Sequence, residues 1–325
     1  MRQAVFDEFG PPTDVVRVDE VEPREPNSTE VRVRVAASPV NPSDLLYIEG
    51  RYGIRPDLPA TPGFEAVGVV EAAGAKSPLK FGQRVALLTF GAWRELVTLP
   101  ARMAHSVPDD LDDTTACSLF VNPLTALAMV DELDLPEGAW LLQTAGASAL
   151  GRIAQAAAQA RGVKVASTVR RDDQAELLRT NGCDAVINTQ KERMSDVVAQ
   201  VTGDNGVGGV LDAVGGRVGA EAIACLAPGG TALVYGLLSM RPTMISNGDM
   251  LFRRLTLKGF WLTNWLKATD PERIRALLDE AIAGFQRGEF SQRVDSQYAL
   301  ADVCDALARA AASGRDGKVI LTFGA

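Results

Sequence analysis

The sequence has few histidines and cysteines, the residues that most often bind catalytic metal ions or, in the case of histidine, act as general acids and bases. Its 325 residues include one histidine, His105, and four cysteines, which are scattered and form no Cys-x-x-Cys pair. This usage argues against a disulfide framework and a cysteine zinc site, and it fits a reducing, cytoplasmic environment. His105 precedes Ser-Val-Pro in a turn-like segment, so we expect a surface position rather than a catalytic role.

Basic charge and long apolar runs are also scarce. The 33 lysines and arginines are outnumbered by 41 aspartates and glutamates, and the net charge of −8 disfavours general binding to nucleic acid or to anionic membranes. No apolar run reaches the ~18 residues expected of a membrane span. The acidic, strand-like N-terminal residues are not typical of a signal or transit peptide. The composition is that of a globular protein whose length suits two domains.

The most informative segment is a turn between a predicted strand and a predicted helix. Trp140–Thr144 is apolar and strand-like, and Leu150–Arg161 is rich in alanine and helical. Gly146 and Gly151 allow the backbone to turn sharply and to approach a ligand, and the N-terminus of the following helix attracts phosphate. The spacing differs from Gly-x-Gly-x-x-Gly, so the position between strand and helix carries the prediction of a dinucleotide site. Its predicted cofactor-binding residues are Gly146, Ala147, Ser148, Leu150 and Gly151.

The end of the next predicted strand indicates which dinucleotide is bound. NAD-specific folds commonly have an acidic residue there, about 20 residues past the glycines, that binds the ribose 2′-OH. Here the strand Val163–Val169 is followed by Arg170 and Arg171, whose guanidinium groups would attract and hold a 2′-phosphate. The sequence therefore predicts NADPH rather than NADH. Alternatively, Asp172 and Asp173 pair with these arginines at a solvated helix start.

Two patterns divide the chain and predict an α/β protein with two domains. Residues 1–118 are β-rich, because Val31–Ala36 alternates with a period of two and glycines and prolines separate further strands. From residue 119 to residue 268, strands alternate with helical runs, which predicts a doubly wound parallel sheet. The strand candidates there are 139–144, 163–169, 185–188, 209–212, 231–235 and 255–260.

The last part of the chain is expected to return to the first domain. Asp270 and Pro271 have the residue types of an N-cap and a first helical position, and they precede an amphipathic helical pattern. Gly317–Phe323 is a final strand. We therefore expect residues 1–118 and 269–325 to form one discontinuous β-rich domain, with residues 119–268 as the dinucleotide-binding domain.

These features together resemble a known superfamily. The β-rich first domain, the Ala-Gly-Ala-Ser-x-x-Gly turn at residues 145–151 and the closing Gly-Lys-Val-Ile-Leu strand at residues 317–321 are similar to those of the medium-chain dehydrogenases/reductases. The resemblance covers the whole chain. It implies a Rossmann domain, a discontinuous GroES-like catalytic domain and a homodimer formed through sheet edges of the cofactor domains, which would cover exposed strands.

The positions that hold catalytic zinc in some members are changed here. Those members place a Cys, a His and another Cys at three separated positions, where this chain has Asn41, Phe64 and Asn122. Phenylalanine cannot bind zinc, and asparagine amides are poor ligands for it. The cysteine-rich structural-zinc lobe is missing too. The chain is therefore identified as a zinc-free member, and no metal site is expected.

Within the zinc-free branch, two segments are similar to those of mitochondrial-type 2-enoyl thioester reductases. Residues 41–53 match the segment that ends in their catalytic tyrosine, which is Tyr52 rather than Tyr47 on this register. Residues 257–265 match the segment that lines the cofactor and acyl site. The resemblance implies NADPH-dependent reduction of trans-2-enoyl thioesters of CoA or acyl carrier protein, with Tyr52 and Asn41 as catalytic residues. Further cofactor contacts are expected at Asn122, Thr125, Ala213, Val214, Tyr235, Gly236, Phe260, Trp261 and Leu262.

Tyr52 has the chemistry that this reaction needs. Hydride transfer to the β-carbon builds negative charge on the thioester oxygen, and a hydrogen-bond donor aimed at that oxygen stabilises the transition state. The Tyr52 hydroxyl can serve as this donor, and it or a water can supply the α-proton. Alternatively, Tyr52 is an aromatic residue at the rim, Asn41 belongs to an ordinary turn, and Trp261 is part of the core.

Other functions remain open at the level of sequence. One is an NADPH:quinone oxidoreductase or general enone reductase of the same superfamily, and another is a non-enzymatic NADPH-binding protein such as a lens crystallin. Quinones lack a long acyl arm, so activity that rises with acyl chain length would separate the first of these from an enoyl reductase. Arg253, Arg254 and Lys258 form a basic cluster that would attract CoA phosphates or an acidic carrier protein, or is a solvated face.

Overall fold

The computed structural model of the chain describes residues 1–324, which form two compact units. The first contains Met1–Val121 and the chain from Ile282 onward, and the second is Asn122–Ala281. Among the described helices, none combines the length and the apolar character that a bilayer crossing requires.

The elements are numbered in chain order. The strands are β1 (Arg2–Val5), β2 (Arg17–Glu20), β3 (Glu30–Val40), β4 (Glu65–Ala73), β5 (Arg84–Leu88), β6 (Leu96–Pro100), β7 (Ala104–Ser106), β8 (Trp140–Gln143), β9 (Lys164–Val169), β10 (Ala185–Asn188), β11 (Val207–Asp212), β12 (Leu226–Val234), β13 (Thr256–Gly259), β14 (Val294–Ala299) and β15 (Lys318–Thr322). The helices are α1 (Pro12–Val15), α2 (Pro42–Ile48), α3 (Asp113–Ala116), α4 (Val121–Leu133), α5 (Ala149–Ala160), α6 (Asp172–Thr180), α7 (Met194–Thr202), α8 (Gly216–Ala224), α9 (Asn247–Arg253), α10 (Leu262–Ala268), α11 (Pro271–Gln286) and α12 (Val303–Ala311).

The second unit contains the predicted parallel sheet. Its strand order is β10-β9-β8-β11-β12-β13, and every neighbouring pair is parallel. Counted within the unit, this is the order 3-2-1-4-5-6 of a doubly wound Rossmann sheet. The predicted α/β class is confirmed. Strand β12 begins earlier than the predicted residue 231, because Leu226 already pairs with Val207 before a register shift at the following glycines.

The first unit is built around the long strand β3. The sheet order is β14-β15-β3-β4-β5-β7, and β6 also pairs with β3. The period-two alternation of β3 places Val31, Val33 and Val35 in the core. The final strand β15 pairs antiparallel with β3, so the last strand lies in the same sheet as β3, whereas β1 and β2 form a separate two-stranded sheet.

A cluster of polar side chains is buried inside this first unit. The Asn41 side chain lies between two charged groups: its Nδ2 donates to Glu65 Oε1 at 2.9 Å, and its Oδ1 accepts a hydrogen bond from Lys318 Nζ. Its backbone N–H donates to Asp44 Oδ2 at 2.7 Å. Glu65 Oε2 also accepts from the amides of Phe120 and Val121 at 3.1 and 2.8 Å. One carboxylate thus joins the start of β4, the residue before α2 and the first residue of α4.

The charges of this buried cluster are unequal. Lys318 faces two carboxyl groups, Asp44 and Glu65, and burial lowers the pKa of Lys318 while it raises the pKa of Glu65. Glu65 accepts three N–H bonds, which favour its ionised form. Burial raises the pKa of Asp44 to about 8, and its Oδ1 has no hydrogen-bond partner within residues 1–324. Asp44 is therefore the carboxyl that keeps its proton at neutral pH.

Replacing Asp44 with Asn should make folding less dependent on pH. The carboxyl titrates at about pH 8 when folded but near ~3.9 in the unfolded chain. Between those values the folded state binds the extra proton, so stability falls as pH rises, by at most about 1.4 kcal/mol per pH unit. In Asp44→Asn the backbone N–H of Asn41 keeps a side-chain oxygen as its acceptor. The fall in stability with rising pH should disappear, because the amide side chain does not titrate. Urea unfolding at pH 5, 7 and 9 should show an advantage of the variant that grows with pH.

The exposed Asp57 provides a matched control, because Asp57→Asn changes the same chemical group in the same unit without burial. Its stability difference from the wild type should stay constant over this range. A constant difference for Asp44→Asn as well would show that Asp44 is not the group that holds the proton.

Candidate active site

The second unit brings most of the predicted cofactor-binding residues to one edge of its sheet. Parallel strands end at the same edge, and open α/β sheets bind ligands there, beside the point where the strand order reverses. That point lies between β8 and β11. The residues that follow the strand ends are Gly146, Ala147 and Ser148 after β8, Arg170 and Arg171 after β9, Ala213 and Val214 after β11, Tyr235 and Gly236 after β12, and Phe260, Trp261 and Leu262 after β13.

The turn after β8 makes its bend at an alanine. Ala145 has φ of 54°, in the left-handed region, where a non-glycine residue is uncommon and often marks a functional site. Gly146 is required for packing instead, because a Cβ there would lie 2.5 Å from Ser167 Cβ. A Cβ on Gly151 would lie 2.7 Å from the Gly146 carbonyl oxygen. The two glycines thus permit close packing of the turn, whereas the sequence pattern assigned the bend itself to them.

Helix α5 begins directly after this turn. Ser148 caps it, since its Oγ accepts a hydrogen bond from Gly151 N at 3.0 Å. The first amides of a helix have no acceptor within the helix, so the amides of Ala149 and Leu150 and the positive end of the helix dipole can bind a phosphate. Gln143 Nε2 donates to the Gly151 carbonyl at 3.0 Å and fixes the helix start to the end of β8.

The two arginines after β9 differ in their surroundings. Arg171 donates two hydrogen bonds to Asp173, from Nε and Nη2, each at 2.9 Å. Asp172 pairs with Lys191 at 2.6 Å. The exposed guanidinium of Arg170 has no acceptor in the described part of the chain. Arg170 is therefore better placed than Arg171 to bind a 2′-phosphate.

The neighbouring strand ends carry a buried donor that fits a polar ligand. The Tyr235 hydroxyl is buried and has no hydrogen-bond partner within residues 1–324, and burial raises its pKa. A Cβ on Gly236 would lie 2.5 Å from the Ala213 carbonyl oxygen. A dinucleotide has hydroxyl, amide and phosphate groups that could pair with such a donor. This edge therefore fits a nicotinamide dinucleotide.

Asp212 organises this edge, although the sequence pattern did not identify it. Its Oδ1 accepts from Thr144 Oγ1 at 2.7 Å and from Val214 N at 3.0 Å, and its Oδ2 accepts from Gly215 N at 3.1 Å. The carboxylate thus links the ends of β8 and β11, the two strands at the switch point. An acidic residue at the end of an apolar strand was the available signal.

For the remaining predicted cofactor-binding residues, the contacts in the structure do not show whether they bind a cofactor. Thr125 is buried within α4, and Asn122 is partly buried one residue after its start. Phe260 is buried and donates its N–H to the Val234 carbonyl. Trp261 is the N-cap residue of α10, and Leu262 is its first residue. Their contact with a cofactor stays a prediction.

The predicted basic cluster is largely neutralised within the second unit. Arg253 pairs with Asp249 at 3.0 Å, and its guanidinium also donates to backbone carbonyls. Lys258 pairs with Glu132 at 2.5 Å. Two of the three cations thus have carboxylate partners, which weakens the hypothesis that the cluster binds CoA phosphates or an acidic protein.

In the first unit, Tyr52 has a fixed backbone and an aromatic support. The amides of Arg51 and Tyr52 both donate to the Leu46 carbonyl, at 2.8 and 3.0 Å. The Tyr52 ring packs on Phe64 with centroids 5.1 Å apart. Tyr47 is only 4% exposed, whereas Tyr52 is partly exposed. Tyr52 is therefore the more accessible of the two tyrosines in this segment.

Phe64 lies at the centre of the aromatic cluster formed by Tyr47, Tyr52, Phe64 and Phe90. Its ring centroid is 5.3 Å from that of Tyr47 and 5.1 Å from that of Phe90, both in edge contacts. Phe90 is 48% exposed and Phe64 is 6% exposed. Phe64 stands at one of the three positions where the resemblance to zinc enzymes implied a metal ligand. That position is thus occupied by a nearly buried aromatic ring.

Asn41 is enclosed by its partners. Its side chain is 2% exposed, and both ends of its amide already bond to Glu65 and Lys318. This arrangement supports the start of α2, the helix that precedes Tyr52. A direct contact of Asn41 with ribose or substrate stays a prediction. Sequence reasoning did not find Lys318 or Glu65; a lysine in an otherwise apolar closing strand was the only signal.

Two family models match the chain. The model described as "Alcohol dehydrogenase GroES-like domain" matches residues 27–109, and the one described as "Zinc-binding dehydrogenase" matches residues 149–282. Among residues 1–324, no group of three or more His, Cys, Asp or Glu side chains is arranged to hold a metal ion.

The chain is also similar to named proteins over almost its whole length. It is 32% identical to the human mitochondrial enoyl-[acyl-carrier-protein] reductase, over 99% of this chain and 89% of that protein. The structure matches the quinone oxidoreductase of Escherichia coli in complex with NADPH, with a TM-score of 0.91, 25% identity and coverage of 99% and 100%. It matches the Pseudomonas syringae quinone oxidoreductase with a TM-score of 0.90, 26% identity and 99% coverage of both chains. The chain therefore belongs to the medium-chain dehydrogenase/reductase superfamily, in the zinc-free branch that includes enoyl and quinone reductases.

Proposed function

We propose that the protein reduces the C=C bond of trans-2-enoyl thioesters with NADPH. The observation that carries this proposal is the position of Tyr52: it is partly exposed, it rests on the aromatic cluster, and it lies in a chain that is similar to an enoyl reductase from end to end. The coarser assignment, an oxidoreductase of the superfamily, follows from the family itself.

The second unit supplies the residues for NADPH in this proposal. The amides that begin α5 bind the pyrophosphate, and Arg170 binds the 2′-phosphate. The Tyr235 hydroxyl donates a hydrogen bond to a polar group of the cofactor, which gives this buried hydroxyl a partner. Bound NADPH supplies the hydride that reaches the β-carbon of the substrate.

Tyr52 acts on the thioester carbonyl. Its hydroxyl donates a hydrogen bond to the oxygen on which negative charge develops, and this bond is stronger in the transition state than in the ground state. The same hydroxyl, or a water bonded to it, then gives the proton to the α-carbon. The phenol suits this task because its hydroxyl group is a hydrogen-bond donor.

A quinone reductase is the second candidate. The structural neighbours reported above are named quinone oxidoreductases, and a tyrosine can also donate to a quinone oxygen. Identity does not separate the two candidates, because the human enoyl reductase and a structure named "putative NADPH:quinone reductase" from Bacillus thuringiensis are each 32% identical over 99% of the chain. The enoyl proposal is preferred because residues 41–53 and 257–265 are similar to segments of 2-enoyl thioester reductases. An NADPH-binding protein without turnover is the third alternative, and it gives Tyr52 no role.

The described charges favour neither CoA nor an acyl carrier protein as the carrier. Arg253, Arg254 and Lys258 were expected to attract CoA phosphates or an acidic carrier protein, but Arg253 and Lys258 have carboxylate partners. The net charge of −8 repels both anionic carriers. We further propose a reducing, cytoplasmic location, because all four cysteines are unpaired; fractionation of cells that express the chain would test it.

A second copy of the chain is the partner that the second unit fits. Strand β13 is at the edge of the parallel sheet and is mostly exposed, and an exposed edge strand can pair with another strand. Large apolar side chains are exposed on the segment before it: Leu237, Leu238, Met240, Met244, Leu251 and Phe252. We propose a homodimer in which this edge and these side chains are covered.

Tyr52→Phe should lower kcat for crotonyl-CoA by about 100-fold, the size of effect seen when a donor to a developing oxyanion is removed. The ring and its contact with Phe64 remain, so the Kd for NADPH should stay within about twofold. Stopped-flow oxidation of NADPH and fluorescence titration measure the two quantities. Tyr298→Phe, at a partly buried position of β14, is the matched control and should retain full activity. Full turnover by Tyr52→Phe would remove Tyr52 from the mechanism.

Arg170→Ala should raise the Kd for NADPH by about 10- to 100-fold, the range expected when a hydrogen bond to a charged group of about 1.5–3 kcal/mol is lost. The Kd for NADH should not change, because NADH has no 2′-phosphate. Arg179→Ala, in the last turn of α6, removes another exposed arginine and serves as control. Equal losses for both dinucleotides would contradict the assignment of Arg170.

Phe252→Glu should convert the dimer to a monomer, because a charge would be buried without a partner in the proposed interface. Phe252 is 82% exposed, so the fold of the single chain should be unaffected. Sedimentation velocity measures the change, and Phe81→Glu, at a residue that is 80% exposed in the first unit, should leave the dimer intact. A wild-type monomer, or a dimer that Phe252→Glu leaves intact, would refute this interface.

A further inference from the structure

The ring of Phe64 contacts each of the other members of the aromatic cluster. Its centroid lies 5.1 Å from Tyr52, 5.3 Å from Tyr47 and 5.1 Å from Phe90. The contact with Tyr52 is tilted by 34°, whereas the contacts with Tyr47 and Phe90 are edge-on at 80° and 73°. Tyr47 also touches Tyr52, at 6.5 Å. The Tyr52 ring thus contacts both Phe64 and Tyr47, and the contact with Phe64 is the shorter of these two.

The backbone that carries Phe64 is held on both sides. Its carbonyl accepts from Thr89 N at 3.0 Å, and the Gly63 carbonyl accepts from Gly91 N at 2.8 Å. Gly63 has φ of 95°, and a Cβ there would lie 2.4 Å from Trp93 Cδ1, so only glycine fits before Phe64. The next residue, Glu65, is fixed by the buried polar cluster. Phe64 is therefore a rigid support.

We infer that Phe64 is a positioning residue for Tyr52: its ring holds the phenol in the orientation from which the hydroxyl donates to the substrate carbonyl. This inference rests on the proposed function. The nearly buried ring of Phe64 thus supports the side chain that would polarise the carbonyl by a hydrogen bond.

The physical basis is the sensitivity of catalysis to geometry. Tyr52 is partly exposed, so contacts on one side must limit the rotation of its ring. Aromatic pairs contribute orientation as well as buried area. Without the Phe64 ring, the phenol would populate several orientations, and a displacement of about 1 Å at a reacting group can cost 100-fold in rate.

The test is a double-mutant cycle on crotonyl-CoA reduction. Phe64→Leu removes the ring but keeps an apolar side chain, and Phe64→Met keeps more of the volume in case the leucine variant folds poorly. Each is combined with Tyr52→Phe. Phe285→Leu is the matched control, because Phe285 is a buried phenylalanine of the same unit whose ring pairs with Phe290, outside the aromatic cluster.

Phe64→Leu and Phe64→Met should lower kcat by about 10- to 100-fold in the presence of Tyr52, with the Kd for NADPH within about twofold of the wild type. In the Tyr52→Phe background they should cause no further loss beyond about twofold, because the hydroxyl that they orient is already gone. Phe285→Leu should leave kcat within about twofold in both backgrounds. A role in packing alone would instead lower kcat equally in both backgrounds.

The inference is overturned if kcat is unchanged in both Phe64 variants, or if their losses multiply in full with that of Tyr52→Phe. The proposed function is tested before Phe64 is changed. A wild type that reduces no enoyl thioester, or a Tyr52→Phe variant with full turnover, overturns the proposed role of Tyr52 and with it the role of Phe64. Failure of the inference alone appears only in the Phe64 variants of an active enzyme.

Discussion

The carboxylate of Glu65 is the interaction on which the catalytic half of the molecule depends. It lies at the start of β4 and bonds to the Asn41 amide and to two backbone N–H groups where α4 begins. Lys318, in the last strand, completes the cluster through Asn41. Segments that are far apart in sequence are thus joined by a buried cluster that contains Glu65 and Lys318, and loss of one partner from such a cluster leaves an uncompensated group. Glu65 directly follows Phe64 and bonds to Asn41, the residue before α2. The cluster therefore holds both the segment of Phe64 and the helix that precedes Tyr52.

The sequence was sufficient to predict the parallel sheet and to identify residues that follow its strand ends at one edge. Alternating strands and helices imply a doubly wound sheet, and the order found, with β8 and β11 at the switch point, places Gly146, Tyr235 and Arg170 along one edge. The details of this edge were not predictable. The bend at Ala145 depends on how closely the turn packs against β9, and a sequence pattern contains no such distances.

The sequence also did not predict which charged side chains pair with one another. Arg170 and Arg171 are equivalent in sequence, but Asp173 bonds only the second of them. The same holds for the basic residues Arg253 and Lys258, whose carboxylate partners are known only from the structure. The substitution of Phe64 was visible in the sequence as the loss of a metal ligand. Its central place among four rings was not, because those rings come from separate segments.

The central claim is that the protein transfers hydride to the C=C bond of an acyl thioester. The most direct test measures NADPH oxidation with trans-2-enoyl-CoA substrates from C4 to C16 and with a panel of quinones, and identifies the products by mass spectrometry. The account predicts saturated acyl-CoA as the product, one equivalent for each NADPH oxidised, with kcat/KM that rises with chain length above C4 and exceeds that for any quinone. Rapid reduction of quinones without formation of saturated acyl-CoA would contradict it.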